Sequence, residues 1–123
     1  MGLPDDDQHR QVFLDNLVSG NDAHLPLAPG IALLPIKAGT LRGLALQIAP
    51  EALQAGQLQN VLERRFEHAL AFHGCFVYQD ARGVLVIWHA LPTPPGSGAA
   101  LNDTVSRMLS LARLEALDVH RTH

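Results

Sequence analysis

The segment from residue 75 to residue 91 constrains the fold more than any other part of the sequence. Two apolar runs, 75–79 and 84–91, flank the tetrapeptide Asp80-Ala81-Arg82-Gly83. An aspartate that opens a turn and a glycine that closes it favour a type I turn with a bulge, so the segment predicts a β-hairpin. Its second strand, VLVIWHAL, is almost continuously apolar, which predicts that both of its faces are covered.

Three other segments have the periodicity of amphipathic helices. Residues 57–73 show it most clearly, because their apolar side chains recur at i, i+3 and i+4 and Gly74 follows at a position typical of a helix end. A first helix is predicted over 6–19, with the acidic run 5–7 at its start, and a last helix over 103–117, with Asn102 as its N-cap.

A second hairpin is predicted before the middle helix. The apolar runs 31–36 and 41–48 are separated by a tetrapeptide that contains Gly39. Pro35 has no N–H to donate and is expected at a sheet edge or a bulge. Residues 20–30 are interpreted as an irregular connection and 92–100 as a linker rich in proline and glycine.

The resulting order, α-β-β-α-β-β-α, predicts an α+β fold in which helices pack on an antiparallel sheet. The 123 residues fit a single domain over 1–123, with 1–5 and 118–123 frayed. A single cysteine rules out an intrachain disulfide. The N-terminal residues have neither the basic nor the apolar region of a signal peptide, so a cytoplasmic location is expected.

Composition excludes several classes of protein. Hydrophobic residues make up 47% of the chain, and 21 leucines and 16 alanines supply most of them, which argues against intrinsic disorder. The net charge of −3 argues against a nucleic-acid partner. No stretch approaches the roughly 18–20 apolar residues that span a bilayer, so no membrane span is expected.

The residues that could carry chemistry are not arranged for it. His68 and His73 are five residues apart on the predicted helix, a poor spacing for shared metal ligation. Cys75 follows a helix C-terminus, whose partial negative charge raises a thiol pKa. No serine lies in a nucleophile elbow. We therefore expect no catalytic residue, no metal, no cofactor and no enzymatic activity.

The distribution of apolar residues points instead to a polypeptide partner. Both hairpins and the last helix carry more apolar side chains than the interior of a 123-residue monomer needs. Trp88 is either an interface anchor or a core residue, since its strand is apolar on both faces. The surplus predicts a homodimer, a docking site for another chain, or both.

With these features the chain resembles the class I chaperones of bacterial type III secretion systems. The similarity is strongest over 57–92, where the helix LQNVLERRFEHALAFH precedes the hairpin GCFVYQDARGVLVIWHALP. The family commonly has three strands between its first two helices, whereas two are evident here. The resemblance implies a non-catalytic homodimer that holds the N-terminal segment of a secreted effector or a secretion regulator in extended form.

The resemblance also implies two sets of site residues. The predicted client-binding residues belong to the first helix and the first hairpin: Phe13, Leu14, Leu17, Leu33, Leu34, Leu44 and Leu46. The predicted dimer-interface residues belong to the middle helix and the last strand: Phe66, Leu70, Val86 and Trp88. The alternative functions are an adaptor or scaffold subunit that binds a folded partner in a secretion assembly and a small-molecule enzyme or sensor built on Cys75 and the histidines.

Overall fold

A computed structural model describes residues 4–91 and 98–118 of the chain. Three α-helices and five β-strands are accompanied by two short 3-10 turns at Pro50–Ala52 and Glu115–Leu117. The elements in chain order are α1 (Pro4–Val18), β1 (Leu25–Ala28), β2 (Ile31–Ala38), β3 (Leu41–Ile48), α2 (Gln57–Glu67), β4 (Cys75–Gln79), β5 (Leu85–Ala90) and α3 (Gly98–Leu111). The α+β class predicted from the sequence is confirmed.

The five strands form one antiparallel sheet in the order β1-β2-β3-β5-β4. The two predicted hairpins are β2–β3 and β4–β5, and they join where β3 pairs with β5. In the second hairpin, the carboxylate of Asp80 accepts hydrogen bonds from the N–H groups of Arg82 and Val84. The hydrogen bond from the Val84 N–H is the main reason why the pKa of Asp80 is lowered.

The strand β1 was missed by the sequence reasoning, which interpreted residues 20–30 as irregular. It pairs with β2 only over Leu25–Ala28, and its register shifts between Pro26 and Ala28. Two prolines within five residues conceal such a short strand, since proline is depleted in strands. With β1 included, three strands lie between the first two helices, as in the family that the sequence resembles.

The helices cover one face of the sheet, which we call the inner face. Alternate residues of each strand point toward the helices, and together they form the main core. The sheet contributes Leu33, Leu44, Leu46, Ile48, Leu85 and Ile87, and the helices contribute Phe13, Leu14, Leu17, Val61, Leu101, Val105, Met108 and Leu109. All of these side chains are buried.

α2 and α3 differ from the sequence prediction by several residues, whereas α1 differs from its predicted bounds by one or two. The helix predicted over 57–73 begins at Gln57 but ends at Glu67, because the ψ of 48° at His68 leaves the helical region and hydrogen-bonded turns follow. The last helix spans Gly98–Leu111 instead of 103–117, so Asn102 lies within it and is not its N-cap. Arg113, at a φ of 60°, follows its end in a left-handed conformation that arginine rarely adopts.

A buried ion pair ties the first helix to the end of the described chain. The Arg10 Nη1 atom lies 2.7 Å from Asp118 Oδ1, and both side chains are almost inaccessible to solvent. Arg10 Nε also donates to Asn102 Oδ1 on α3, at 2.8 Å. The sequence predicted frayed ends at residues 1–5 and 118–123. In the structure, residues 4–5 begin α1 and Asp118 is buried. Residues 1–3 and 119–123 lie outside the described residues.

Pro35 lies at an open part of the sheet edge, as the sequence predicted. The N–H of Ala49 donates to Gly30 and that of Leu91 to Arg42, so successive residues of β3 bond alternately to β2 and to β5. In this register the backbone of Pro35 faces away from β3. β1 reaches only as far as Leu33, so no described strand lies beside Pro35.

Within the described ranges, no helix is long and apolar enough to cross a membrane.

Candidate functional site

The face of the sheet opposite the helices is apolar, and no described helix covers it. We call it the outer sheet face, and it is formed by the second set of alternating residues on β2 to β5. Its larger side chains are Leu34, Ile36, Leu41, Phe76, Tyr78, Val86 and Trp88. Phe76 is 59% exposed and Leu41 58%, whereas Trp88 and Val86 are buried beneath their neighbours. An exposed apolar patch of this kind is typical of a protein interface.

Trp88 is the anchor of the outer sheet face. Its indole lies across Gly43 on β3, and Nε1 donates a hydrogen bond of 2.8 Å to the carbonyl oxygen of Ile36 on β2. The ring of Phe76 packs beside it, with centroids 6.1 Å apart. Trp88 therefore spans three strands, and glycine at position 43 provides the space for it. Trp88 is packed against its neighbours and also lies at the base of an accessible surface. It therefore has features of both the core residue and the interface anchor that the sequence left as alternatives.

We expect Gly43→Ala to displace Trp88. A methyl group at this position would overlap the indole ring, because any Cβ atom built on Gly43 falls within the ring's contact distance. The Nε1 bond to Ile36 should break and the ring should move toward solvent. Trp88 is the only tryptophan in the sequence, so a red shift of the intrinsic fluorescence measures the displacement directly. An unchanged emission maximum in the folded variant would contradict the described position of Trp88.

The outer sheet face contains a shallow cavity of about 340 Å³. It lies beside the turn between β2 and β3, next to the aromatic side chains of β4 and β5. The residues that line it are Ile36, Lys37, Ala38, Leu41, Phe76, Tyr78 and Trp88. Lys37 is the only charged group among them, so the cavity suits an apolar side chain of another polypeptide.

A second apolar surface lies on the middle helix and the turns that follow it. We call it the α2 stripe, and it consists of Leu62, Phe66 and Leu70. Phe66 is 85% exposed and Leu70 is 95% exposed. These are the most exposed large apolar side chains of the described chain. Leu62 and Phe66 share one face of α2, whereas Leu70 lies in the turns after Glu67, where the helix has ended.

The four predicted dimer-interface residues therefore lie on two different layers. Val86 and Trp88 belong to the outer sheet face, whereas Phe66 and Leu70 belong to the α2 stripe. The helix α2 is part of the layer that packs against the inner face, where Val61 enters the main core. No aromatic ring pair or hydrogen bond given for the described residues joins the two pairs.

The predicted client-binding residues lie mostly in the interior. Phe13, Leu14, Leu17, Leu33, Leu44 and Leu46 are all buried in the main core, and Leu34 is half-buried on the outer sheet face. Burial on the inner face follows from the register of β2 and β3, which points Leu33, Leu44 and Leu46 to the same side. Of the seven side chains, Leu34 is the most exposed and Phe13, at 3%, is the next.

A groove between α1 and β1 gives access to Phe13. Its volume is about 360 Å³, and it combines apolar and polar side chains. The lining residues are His9, Val12, Phe13, Asn16, Ala23, His24, Leu25 and Pro26. Val12 is 58% exposed at its rim. The groove follows the edge strand, so its shape suits an extended segment.

Three exposed residues of the outer sheet face were absent from the sequence prediction. Phe76, Tyr78 and Leu41 are its exposed large side chains. The alternation of CFVYQ separates Phe76 and Tyr78 from Cys75 and Val77, so the signal for a two-sided strand was present. Alternation alone does not tell which of the two faces the helices cover.

Cys75 and His89 face each other across β4 and β5. Cys75 is buried, and burial raises the pKa of its thiol despite the charges of Arg107 and Arg65. His89 Nδ1 lies 2.8 Å from the carbonyl oxygen of Ala90. Since burial favours the neutral thiol, the pair is not set up for nucleophilic attack. In 4–91 and 98–118, no three His, Cys, Asp or Glu residues form a group that could hold a metal ion.

Comparisons with known proteins agree with this architecture. A chain of the heterodimeric complex ExoU–SpcU, from the type III secretion system of Pseudomonas aeruginosa, has the same fold with a TM-score of 0.53 and 20% identity. The match covers 87% of this chain and 95% of that chain. No curated protein matches the sequence. The family model described as HrpV-like matches residues 3–117. The resemblance to type III secretion chaperones is thereby confirmed, and the chain belongs to the HrpV-like family.

Proposed function

We propose that this protein is a non-catalytic chaperone of a bacterial type III secretion system that binds a partner polypeptide in the cytoplasm and keeps it competent for secretion. The outer sheet face carries the proposal, because it is a large apolar surface that no described part of the chain covers. Burial of such a surface is favourable by about 25 cal/mol for each Å² removed from water. The family, and a fold shared with a chain of a type III secretion complex, support the same role.

The partner of the outer sheet face is proposed to be a second copy of the chain. The residues that define this face are uncharged, and Lys37 lies at its rim. Two copies of a protein with a net charge of −3 can therefore meet there without close like-charge contacts. Trp88 and Val86 would form the floor of the dimer interface, and Phe76 and Tyr78 would surround them.

The client is proposed to be the N-terminal segment of a secreted effector or a secretion regulator, bound in extended form. The groove between α1 and β1 is the best location for it. Val12 and Phe13 offer apolar contacts, and His9, Asn16 and His24 offer polar ones. An extended segment can place alternate side chains into such a groove.

We expect the double substitution Phe76→Glu/Tyr78→Glu to convert the dimer into a monomer. Both side chains are exposed in the single chain, so the variant should fold, while two carboxylates per copy would have to be buried on dimerisation. Sedimentation analysis should show the mass halved, and the emission of Trp88 should shift to the red. Val12→Glu, at the groove, is the matched control and should remain dimeric.

Client binding is tested with a partner captured from the native host and identified by mass spectrometry. The N-terminal segment of this partner should resist protease in the complex and be digested when free, and Val12→Glu should weaken the complex at least tenfold. A partner that resists protease without the chaperone would favour an adaptor that binds a folded protein. A monomer that protects no segment would contradict the proposed function.

A further inference from the structure

Arg42 joins the two walls of the groove between α1 and β1. One wall is α1, and the other is the run from Ala23 to Pro26 at the start of β1. The guanidinium of Arg42 donates from Nη1 to the carbonyl oxygen of Leu17, in the last turn of α1, at 3.1 Å, and from Nη2 to that of Asn21 at 3.0 Å. Asn21 precedes the second wall by two residues, so one side chain holds the end of one wall and the start of the other.

The register of β3 directs the side chain of Arg42 to this place. Arg42 is two residues before Leu44, so it points to the same side as the inner face, at the end of the sheet where α1 ends. Its backbone belongs to the sheet, since it pairs with Lys37 on β2 and accepts a hydrogen bond from the N–H of Leu91 at 2.9 Å. The positive charge lies at the C-terminus of α1, where the helix dipole favours a cation. Arg42 thus fixes the groove relative to the sheet.

The other hydrogen bonds of the connection between α1 and β1 remain within that segment. The N–H groups of Gly20 and Asn21 donate to carbonyl oxygens near the end of α1, with Gly20 at a φ of 81°. Within the described ranges, the hydrogen bonds that join residues 16–21 to the sheet both come from Arg42. In the described sheet, β1 pairs with β2 alone, and its register shifts within its four residues. The separation of the two walls therefore depends strongly on Arg42.

We propose that Arg42 is a positioning residue of the client groove, which holds α1 and the start of β1 at the separation that an extended segment needs. This inference rests on the groove of the proposed function. Arg42 does not line the groove and acts through the backbone of Leu17 and Asn21. A guanidinium has several donors in a fixed planar arrangement and can serve two carbonyl oxygens at once, whereas a lysine ammonium keeps the charge without that geometry.

The separation of the walls is measured without any client, as the distance between two spin labels. The labels are placed at Asp15→Cys on α1 and Pro29→Cys after β1, both exposed and outside the groove, with Cys75→Ala to remove the native thiol. Electron resonance should give a narrow distance distribution when Arg42 is present. Arg42→Met removes the donors and should make the distribution about twofold broader, because the walls then sample more positions. Arg42→Lys should restore part of the narrow distribution.

The second probe is the N-terminal peptide of the partner that is captured from the native host. Arg42→Met should bind it about tenfold more weakly, since the groove is no longer preorganised, and Arg42→Lys should lie between Arg42→Met and the wild type. Ile87→Val is the control for stability, because it removes one buried methylene group outside the groove. It should change neither the label distances nor the affinity for the peptide.

The two measurements separate the role of Arg42 from the role of the groove. Unchanged label distances in Arg42→Met would overturn the proposal, as would changed distances with an unchanged affinity for the peptide. An equal loss of affinity in Ile87→Val would also overturn it, since the loss would then reflect stability alone. If the wild type bound no segment while the distances still depended on Arg42, the proposed function would fail, and Arg42 would be supported as the residue that sets the groove.

Discussion

The substitution Asp118→Leu is expected to destabilise the protein by about 3–5 kcal/mol, the usual cost of removing one partner from a buried ion pair. Arg10 is 1% exposed, and its guanidinium lies 2.7 Å from the Asp118 carboxylate. Without that carboxylate, the acceptors that the described side chains and backbone offer to the buried guanidinium are neutral, among them Asn102 Oδ1. The cost is a large fraction of the total stability of an ordinary domain, about 5–15 kcal/mol.

Urea unfolding of the wild-type protein, Asp118→Leu and two further variants measures the loss of stability. The double variant Arg10→Met/Asp118→Leu should recover most of the loss, because it removes both charges and fills the space with apolar atoms. Asp103→Leu makes the same substitution at an exposed position of α3 and should change the stability by less than about 0.5 kcal/mol. If Asp118→Leu were as mild as Asp103→Leu, the ion pair would not hold α1 to the C-terminal segment.

The second large effect is expected for Leu46→Glu, which should abolish folding at neutral pH. Leu46 is fully buried at the centre of the inner face, where its strand neighbours are Leu33 on β2 and Ile87 on β5. A carboxylate there would have no cation and would have to be buried or protonated, at a cost of about 4–5 kcal/mol or more. Circular dichroism and gel filtration should show an unfolded or aggregated chain.

Leu41→Glu is the matched control for this substitution. It makes the same change on the same strand, but at a side chain that is 58% exposed, so the variant should fold. The resemblance to secretion chaperones assigned Leu46 to a client groove. If Leu46→Glu folded and lost only the client, that assignment would hold and the inner face would open in solution.

The local patterns of the sequence predicted the elements better than the surfaces. The alternation of Leu44, Leu46 and Ile48 correctly placed these side chains on one face of a strand. In contrast, β1 was missed because Pro26 interrupts its few apolar residues and Pro29 follows directly after them. The start of α3 was placed too late, since Gly98 has a low helix propensity and tertiary contacts decide its conformation.

The interaction surfaces depend on which side of the sheet the helices cover, and this is a tertiary property. Leu33 and Leu34 are adjacent and chemically identical, yet one is in the core and the other is on the outer sheet face. The same is true of Ile87 and Trp88 on β5. Sequence periodicity separates such neighbours into two sets but gives both sets the same apolar signal. For this reason periodicity alone could not show that Phe66 and Trp88, which are predicted for one dimer interface, lie on different layers.

The stretch of β2 around Pro35, which β1 does not cover, affects how the protein behaves at high concentration. A strand with free backbone groups is a template for runaway polymerisation, and natural proteins protect such edges with proline and lysine. Here Pro35 removes an N–H from the open edge, and the exposed Lys37 adds a charge two residues further on. Edge-to-edge stacking of sheets into fibrils is thereby disfavoured on this side. At this stretch of β2, the sheet is in this way protected from growing into amyloid by the addition of further strands.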